Sequence, residues 1–146
     1  MDIYFMLEAL KEAKKAFDQG EVPIGAIIVE NDRIIARAHN TKDSTQCAIR
    51  HAEMNAIEKA SFLKKNWRLI DCTIYVTLLP CPMCASAINQ ARMKRVVYGT
   101  GTEQIDFKLV EKILNDRRYG NSVEICGKIL ENECSQLLKK FFVEKR

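Results

Sequence analysis

The chain of 146 residues is long enough for one domain with a buried core, and its 47% hydrophobic and 29% charged residues exclude a disordered protein. A net charge of +4 permits a nucleic-acid partner without requiring one. No apolar run approaches the roughly 18 residues that span a bilayer, and the first residues lack the pattern of a signal peptide, so a cytoplasmic protein is expected.

The spacing of apolar residues predicts a helix, a strand hairpin and then alternating helices and strands. Apolar residues recur with the helical period between residues 3 and 17, and the turn Asn31-Asp32 separates two β-prone segments. The predicted helices are 3–18, 49–65, 82–91, 105–114 and 130–142, the predicted strands are 23–30, 33–39, 71–77, 94–98 and 122–126, and 40–46 is a predicted loop.

After the hairpin each strand is followed by a helix, which predicts an α/β fold with three layers, α/β/α, around a five-stranded, mostly parallel sheet. A helix separates the fourth strand from the fifth. Because two parallel strands need such a crossover and a hairpin cannot supply it, we expect strands 4 and 5 to be parallel.

Two short motifs carry candidate chemistry: His51-Ala52-Glu53, and Pro80-Cys81 followed by Cys84. Cys81 and Cys84 are three residues apart at a predicted helix start, which places both sulfurs on one face, as a tetrahedral zinc requires. His51, at the start of another helix, is a candidate third ligand. Three protein ligands leave a fourth position open, which is typical of a catalytic zinc.

Glu53 is close to these ligands in sequence and is not needed as a ligand itself. A carboxylate at this position can move protons from a water to a substrate ring nitrogen and then to a departing amine. The backbone N–H groups near Ala52 and Cys84 are candidates to bind a substrate oxygen. The combination of both motifs is typical of zinc nucleobase deaminases.

Each motif alone has a simpler explanation. Among six cysteines a pair at this spacing arises easily by chance, and such a pair can also be a redox site. Taken alone, His51 is interpreted as a satisfied polar residue and Glu53 as an exposed helix carboxylate. His39 is interpreted either as structural or as a support for the site residues. Without a signal peptide the cysteines are expected to be free thiols or metal ligands. The remaining ones are predicted to be reduced packing residues: Cys47, Cys72, Cys126 and Cys134.

From residue 3 to residue 142 the chain resembles the bacterial tRNA-specific adenosine deaminases, which convert adenosine to inosine at the anticodon wobble position. The matching segments are 21–26, 39–40, 51–53, 67–77, 80–84, 95–99, 133–134 and 141–142. The resemblance implies a cytidine-deaminase-like fold, a single zinc-dependent deaminase domain over 1–146, and a homodimer that acts on a tRNA anticodon stem-loop.

The same resemblance assigns roles to individual residues. It implies one Zn²⁺ per chain on His51, Cys81 and Cys84, and a proton shuttle at Glu53. It also implies substrate contacts from Asn40 and Ile24.

Three departures from the family pattern leave the substrate open: Leu79 before Pro80, Thr102, and the altered segment 103–108. The alternative is a free nucleobase or nucleoside deaminase of the same superfamily, acting on guanine, cytosine or a related compound. A third hypothesis is a zinc-stabilised RNA-binding protein without catalysis, which would have no need of Glu53.

Basic and aromatic residues near the C-terminus are candidates for RNA contact, because basic groups attract phosphate and aromatic rings stack on bases. A simple structural role, with the phenylalanines packing the last helix, is slightly favoured for those two rings. The candidates are Lys139, Lys140, Phe141, Phe142, Lys145 and Arg146, with a second basic cluster at Arg92, Lys94 and Arg95.

Overall fold

Five strands form one central sheet, and helices cover both of its faces. The computed structural model describes residues 1–145. The helices are α1 (Asp2–Asp18), α2 (Lys42–Thr45), α3 (Ala52–Lys64), α4 (Pro82–Gln90), α5 (Phe107–Leu114) and α6 (Glu131–Glu144). The strands are β1 (Gly25–Glu30), β2 (Arg33–His39), β3 (Cys72–Leu78), β4 (Arg95–Thr100) and β5 (Glu124–Cys126).

The strand order is β2-β1-β3-β4-β5. Strand β1 is antiparallel to both of its neighbours, whereas β3, β4 and β5 are mutually parallel. Four of the five strands therefore point the same way, which confirms the mostly parallel sheet and the parallel pairing of strands 4 and 5. The β1–β2 hairpin turns at Asn31 and Asp32, both with positive φ, as the twist of a two-residue hairpin requires.

Two hydrophobic clusters lie between the sheet and the helices, one on each face of the sheet. On one face, Phe5 and Met6 of α1 and Cys134 of α6 pack against Ile27 and Tyr75 of the sheet. On the other face, alanines of α3 and apolar residues of α4 and α5 pack against strand residues that alternate with the first set. Side chains of a strand point alternately to opposite faces, so one sheet supports both layers. The predicted α/β/α architecture is confirmed.

Some element boundaries differ from the prediction. Strand β4 continues through Gly99 to Thr100, whereas the sequence predicted its end at Tyr98. A Cβ on Gly99 would lie 2.4 Å from Cys134 Sγ, so this glycine permits α6 to approach the sheet. Helix α3 begins at Ala52 rather than near residue 49, because His51 is in an extended conformation.

The predicted loop 40–46 contains the short helix α2. The Glu21 carboxylate accepts hydrogen bonds from the backbone N–H groups of Asp43 (3.0 Å) and Ser44 (2.6 Å) at the start of this helix. The first N–H groups of a helix need acceptors from outside the helix, and here the acceptor is more than twenty residues away. Local sequence patterns therefore did not reveal α2.

All six cysteines are free thiols within residues 1–145. In the same part of the chain, no helix is both long and apolar enough to cross a membrane.

Candidate metal centre and active site

The structure brings His51, Cys81 and Cys84 together. His51 immediately precedes α3, Cys81 immediately precedes α4, and Cys84 lies in the first turn of α4. His51 Nδ1 is 3.6 Å from Cys81 Sγ and 3.5 Å from Cys84 Sγ. All three candidate ligand atoms lie within 4.8 Å of one another, so the three side chains can hold one metal ion.

The spacing of these atoms fits zinc. Zinc binds imidazole nitrogen at about 2.0–2.1 Å and thiolate sulfur at about 2.3 Å with tetrahedral angles, which gives a nitrogen–sulfur separation of about 3.6 Å. The observed separations of 3.5 and 3.6 Å match it. The two sulfurs and the nitrogen also form the kind of soft donor set that zinc prefers over magnesium or calcium.

The start of α4 favours negative charge on sulfur, because the N-terminus of a helix carries partial positive charge. A hydrogen bond from the Cys84 thiol lowers the pKa of Cys81 to about 4. The same contact raises the pKa of Cys84, and the neighbouring Cys81 sulfur raises the pKa of His51.

The Glu53 side chain is directed into this cluster from the first turn of α3. Glu53 is only 4% exposed, and His51, Cys81 and Cys84 all influence the pKa of its carboxyl. Burial raises the pKa of the Glu53 carboxyl to about 7. A group with a pKa near neutrality can both accept and donate a proton, which is the property that general acid–base catalysis needs.

Asn40 follows β2 and is held on three sides. Its Nδ2 donates to the Val22 carbonyl (3.3 Å), its Oδ1 accepts from the Lys42 N–H (3.1 Å), and its own N–H donates to the Ile24 carbonyl (3.0 Å). Asn40 and Ile24 therefore lie side by side. Ala52 is the first residue of α3, where the N–H has no acceptor within the helix.

Two clefts adjoin the segment that leads to Cys81. One has a volume of about 640 Å³ and is bounded by Leu78, Thr100 and α6, and the other has a volume of about 470 Å³. Gly101 and Thr102 form a wall common to both. The residues that depart from the family pattern converge on the smaller cleft: Leu79, Thr102, Ile105 and Phe107.

The two C-terminal phenylalanines, Phe141 and Phe142, lie in different environments. Phe141 is buried, and its ring lies 6.1 Å from that of Phe17, so it packs the last helix as the structural interpretation predicted. Phe142 is 52% exposed and borders the larger cleft. Arg146, the last member of this candidate set, lies outside the described residues.

The second basic cluster is largely engaged within the protein. Arg95 makes two hydrogen bonds to the Asp2 carboxylate, at 3.0 and 2.8 Å. The Arg92 guanidinium lies over the Trp67 ring and donates to the Tyr119 carbonyl. These contacts hold loops and helix ends in place, which agrees with a structural role.

Two polar residues near the site were missed by sequence reasoning. Glu21 anchors α2, as described above, and Asn55 contacts the segment around Asn40 through its side chain. The carboxamide of Asn55 donates to the His39 carbonyl and to Thr41 Oγ1, each at 3.0 Å. His39 itself lies between Glu12 and Gln19, in agreement with its structural interpretation.

A His/Cys/Cys group in a three-layer fold of this topology defines the class of cytidine-deaminase-like proteins. Over residues 2–146 the sequence matches the MafB19-like deaminases. It is 44% identical to the tRNA-specific adenosine deaminase of Bacillus subtilis, over 99% of this chain and 91% of the relative. It is 41% identical to the enzyme of the same name from Streptococcus pyogenes serotype M1, over 98% and 84%. The chain belongs to the family of these deaminases.

Solved structures of tRNA and guanine deaminases are similar to this chain. A structure from a study of A-to-I editing by tRNA:A34 deaminases has a TM-score of 0.85 at 32% identity, covering 92% of this chain and 98% of the other. A guanine deaminase from Bacillus subtilis has a TM-score of 0.64 at 30% identity, covering 82% and 71%. A guanine deaminase from Nitrosomonas europaea, at 18% identity, TM-score 0.86 and coverage of 97% and 84%, shares the fold.

Proposed function

We propose that this chain converts adenosine to inosine at the wobble position of a tRNA anticodon, releasing ammonia. The observation that carries the proposal is the donor triangle of His51, Cys81 and Cys84 with the buried carboxyl of Glu53 against it. The identity of 44% to a tRNA-specific adenosine deaminase, over nearly the whole of both chains, supports the RNA substrate.

We propose that His51, Cys81 and Cys84 hold one zinc ion per chain, since their separations match tetrahedral coordination. When bound, zinc would lower the pKa of a water toward about 7 and so supply a nucleophile at neutral pH.

Glu53 would move the protons. It takes a proton from the attacking water, whose oxygen bonds to C6 of adenine, and delivers this proton to N1. It then carries the hydroxyl proton at C6 to the exocyclic amine. The C6–N6 bond breaks, a C6 carbonyl forms and ammonia leaves, so that adenosine and water yield inosine and ammonia. The burial that brings the Glu53 pKa to about 7 suits both transfers.

Asn40, Ile24 and Ala52 would bind the substrate. The Asn40 amide is held by Val22 and Lys42, and one N–H of its Nδ2 remains for a substrate acceptor. Ile24 offers an apolar contact beside it, and the Ala52 N–H at the start of α3 can donate to an oxygen. A site of this kind is ordered before the substrate arrives, which reduces the entropic cost of binding.

The proposal includes the state of the whole protein. The chain would act as one deaminase domain over 1–146, since the family match covers residues 2–146. Phe62, Leu63 and Trp67, at the end of α3 and just after it, expose apolar side chains, and these support the proposed homodimer because exposed apolar groups are common at contact sites. We propose a cytoplasmic location, which the proposed tRNA substrate supports.

The test uses zinc-loaded protein and an anticodon stem-loop with adenosine at the wobble position. Inosine is quantified by mass spectrometry after digestion of the RNA. We expect inosine from the wild type and a rate about 10²–10⁴ lower from Glu53→Gln, because the proton shuttle is lost while the shape of the side chain is kept.

Free guanine, cytosine and nucleosides are assayed in parallel. If a free base is deaminated and the RNA stays unmodified, the small-molecule alternative replaces the proposal. Leu79 and Thr102 then become the residues to test next. Zinc binding with full retention of RNA binding, and no deamination of any substrate, would support the non-catalytic hypothesis.

A further inference from the structure

One side chain, that of Asn55, joins two segments that carry proposed active-site residues. Asn55 lies one turn after His51 on α3, and its N–H donates to the His51 carbonyl at 3.0 Å. Its Nδ2 donates to the His39 carbonyl and to Thr41 Oγ1, both at 3.0 Å. These two acceptors flank Asn40, so the helix that bears Glu53 holds the loop on both sides of the proposed substrate contact.

The other end of the carboxamide is fixed as well. Arg50 Nη1 lies 3.4 Å from Asn55 Oδ1 and 3.0 Å from Glu58 Oε2. The Arg50 carbonyl in turn accepts the Thr41 N–H at 3.0 Å. With a donor at Oδ1 and two acceptors at Nδ2, only an amide satisfies all of its partners in this orientation.

The contacts of Asn40 and those of Asn55 act at different levels. The bonds of Asn40 to Val22 and Lys42 set its orientation within the loop and the approach to β1. The bonds of Asn55 set the place of that loop relative to α3. A displacement of about 1 Å between substrate-binding and reacting groups is enough to impair an enzyme, so this connection matters for the reaction.

We propose that Asn55 is a positioning residue, which sets Asn40 against Glu53 and thereby controls capture of the substrate. The inference rests on the proposed function, because it takes Asn40 as the substrate contact and Glu53 as the proton shuttle. Asn55 itself touches neither substrate nor metal in this scheme.

The first test compares Asn55→Leu with the wild type as zinc-loaded, full-length protein acting on the anticodon stem-loop. If the loop of Asn55→Leu occupies its substrate-binding position about a tenth of the time, KM rises about tenfold. We expect kcat to stay within about twofold of the wild-type value and its pH dependence to stay the same. The zinc content should stay at one per chain. The matched control is Glu58→Ala, which removes the other partner of Arg50 on the same helix and leaves KM unchanged.

A second test isolates the contact with the loop. Thr41→Val removes the Oγ1 acceptor while keeping the size of the side chain. In the wild type this change should raise KM severalfold, and in the Asn55→Leu background it should have little further effect, because the two changes break the same contact. Additive effects would show that the residues act separately and would overturn the proposal.

A third readout does not depend on activity. The Thr41 N–H donates to the Arg50 carbonyl, so hydrogen exchange at Thr41 reports the contact between the loop and the segment that leads into α3. Faster exchange in Asn55→Leu, with no change in Glu58→Ala, supports the proposal even if the wild type proves inactive on RNA. Unchanged exchange at Thr41 overturns it, as does an active wild type whose KM is unaffected by Asn55→Leu. If Asn55→Leu does not fold, Thr41→Val answers the same question by the same two readouts.

Discussion

Burial of the Glu53 carboxyl suits the proton transfers proposed for this residue but opposes the stability of the protein. Its surroundings disfavour negative charge and raise its pKa from 4.5 to about 7. In an unfolded chain the same group would ionise freely above pH 5. The metal-free protein therefore loses stability as pH rises through this range, since the folded state must keep the proton or hold a buried charge.

We predict that Glu53→Gln stabilises the metal-free protein at alkaline pH. The difference between a pKa of 4.5 and one of about 7 corresponds to a stabilisation of about 3 kcal/mol. This stabilisation is absent near pH 4 and complete above pH 7. Urea unfolding of the chelated wild type and variant at pH 5 and pH 8 measures it. Equal stabilities of the two proteins at pH 8 would show that the carboxyl is not destabilising.

At the scale of elements, the start of α1 is tied to the sheet by Asp2. Arg95 donates two hydrogen bonds to its carboxylate, and the Tyr75 hydroxyl donates a third at 2.7 Å. The hydrogen bonds from Arg95, more than any other contact, lower the pKa of Asp2. The resulting stabilisation is present above the ordinary pKa of 3.8 and is lost as pH falls through the lowered value.

We predict that Asp2→Asn lowers the free energy of unfolding by about 1–2 kcal/mol at pH 7, because charge-assisted hydrogen bonds are replaced by weaker ones at a partly exposed site. The difference from the wild type should shrink as the wild-type carboxyl protonates below pH 3.8. Urea titrations at pH 7 and pH 3 check both statements. Asp18→Asn, at the exposed end of the same helix, is the control and should change stability by less than about 0.5 kcal/mol.

The packing of α1 on β1 depends on Gly25. A Cβ at this position would lie 2.1 Å from the Ala9 carbonyl oxygen and 2.4 Å from the Ala13 nitrogen, both backbone atoms of the helix. We predict that Gly25→Ala destabilises the protein by about 2 kcal/mol or more, since helix and strand must separate. Thermal unfolding should show no such loss for Gly101→Ala, where a Cβ would meet nothing within 4 Å. Similar losses in both variants would contradict this explanation.

At the scale of the whole molecule, the candidate metal ligands connect two helices that are separated by β3 in sequence. His51 precedes α3, and the two cysteines begin α4, so a bound ion joins elements that otherwise meet through few side chains. An ion that binds only the folded state adds about 2.7 kcal/mol at one hundred times its dissociation constant.

We predict that chelation lowers Tm by several degrees and that added Zn²⁺ restores it, whereas Mg²⁺ does not, since thiolates are poor ligands for magnesium. Calorimetry before and after chelation, with metal content by mass spectrometry, measures the effect. The Tm of Cys84→Ser should equal that of the chelated wild type, both before and after chelation of the variant. A wild-type Tm that does not change on chelation would argue against a structural contribution from the metal.

Some features of the fold followed from the sequence because they depend on local patterns. Helical and strand periodicities predicted five helices and five strands close to their observed positions, and the helix between strands 4 and 5 required their parallel pairing. The spacing of Cys81 and Cys84 placed both sulfurs at a helix start, as observed. Chemistry carried by neighbouring residues could thus be predicted.

Other features were decided by contacts between distant residues, which a single sequence does not display. The acceptor for α2 is Glu21, and β4 continues through Gly99 because Thr100 pairs with Leu78 of β3. Asn55 finds its partners only when α3 folds against the end of β2. The sequence by itself determined the candidate donor set of the site and the class of fold, because both reside in short patterns. The tertiary structure decided how the site is held in register, since that depends on which distant groups meet.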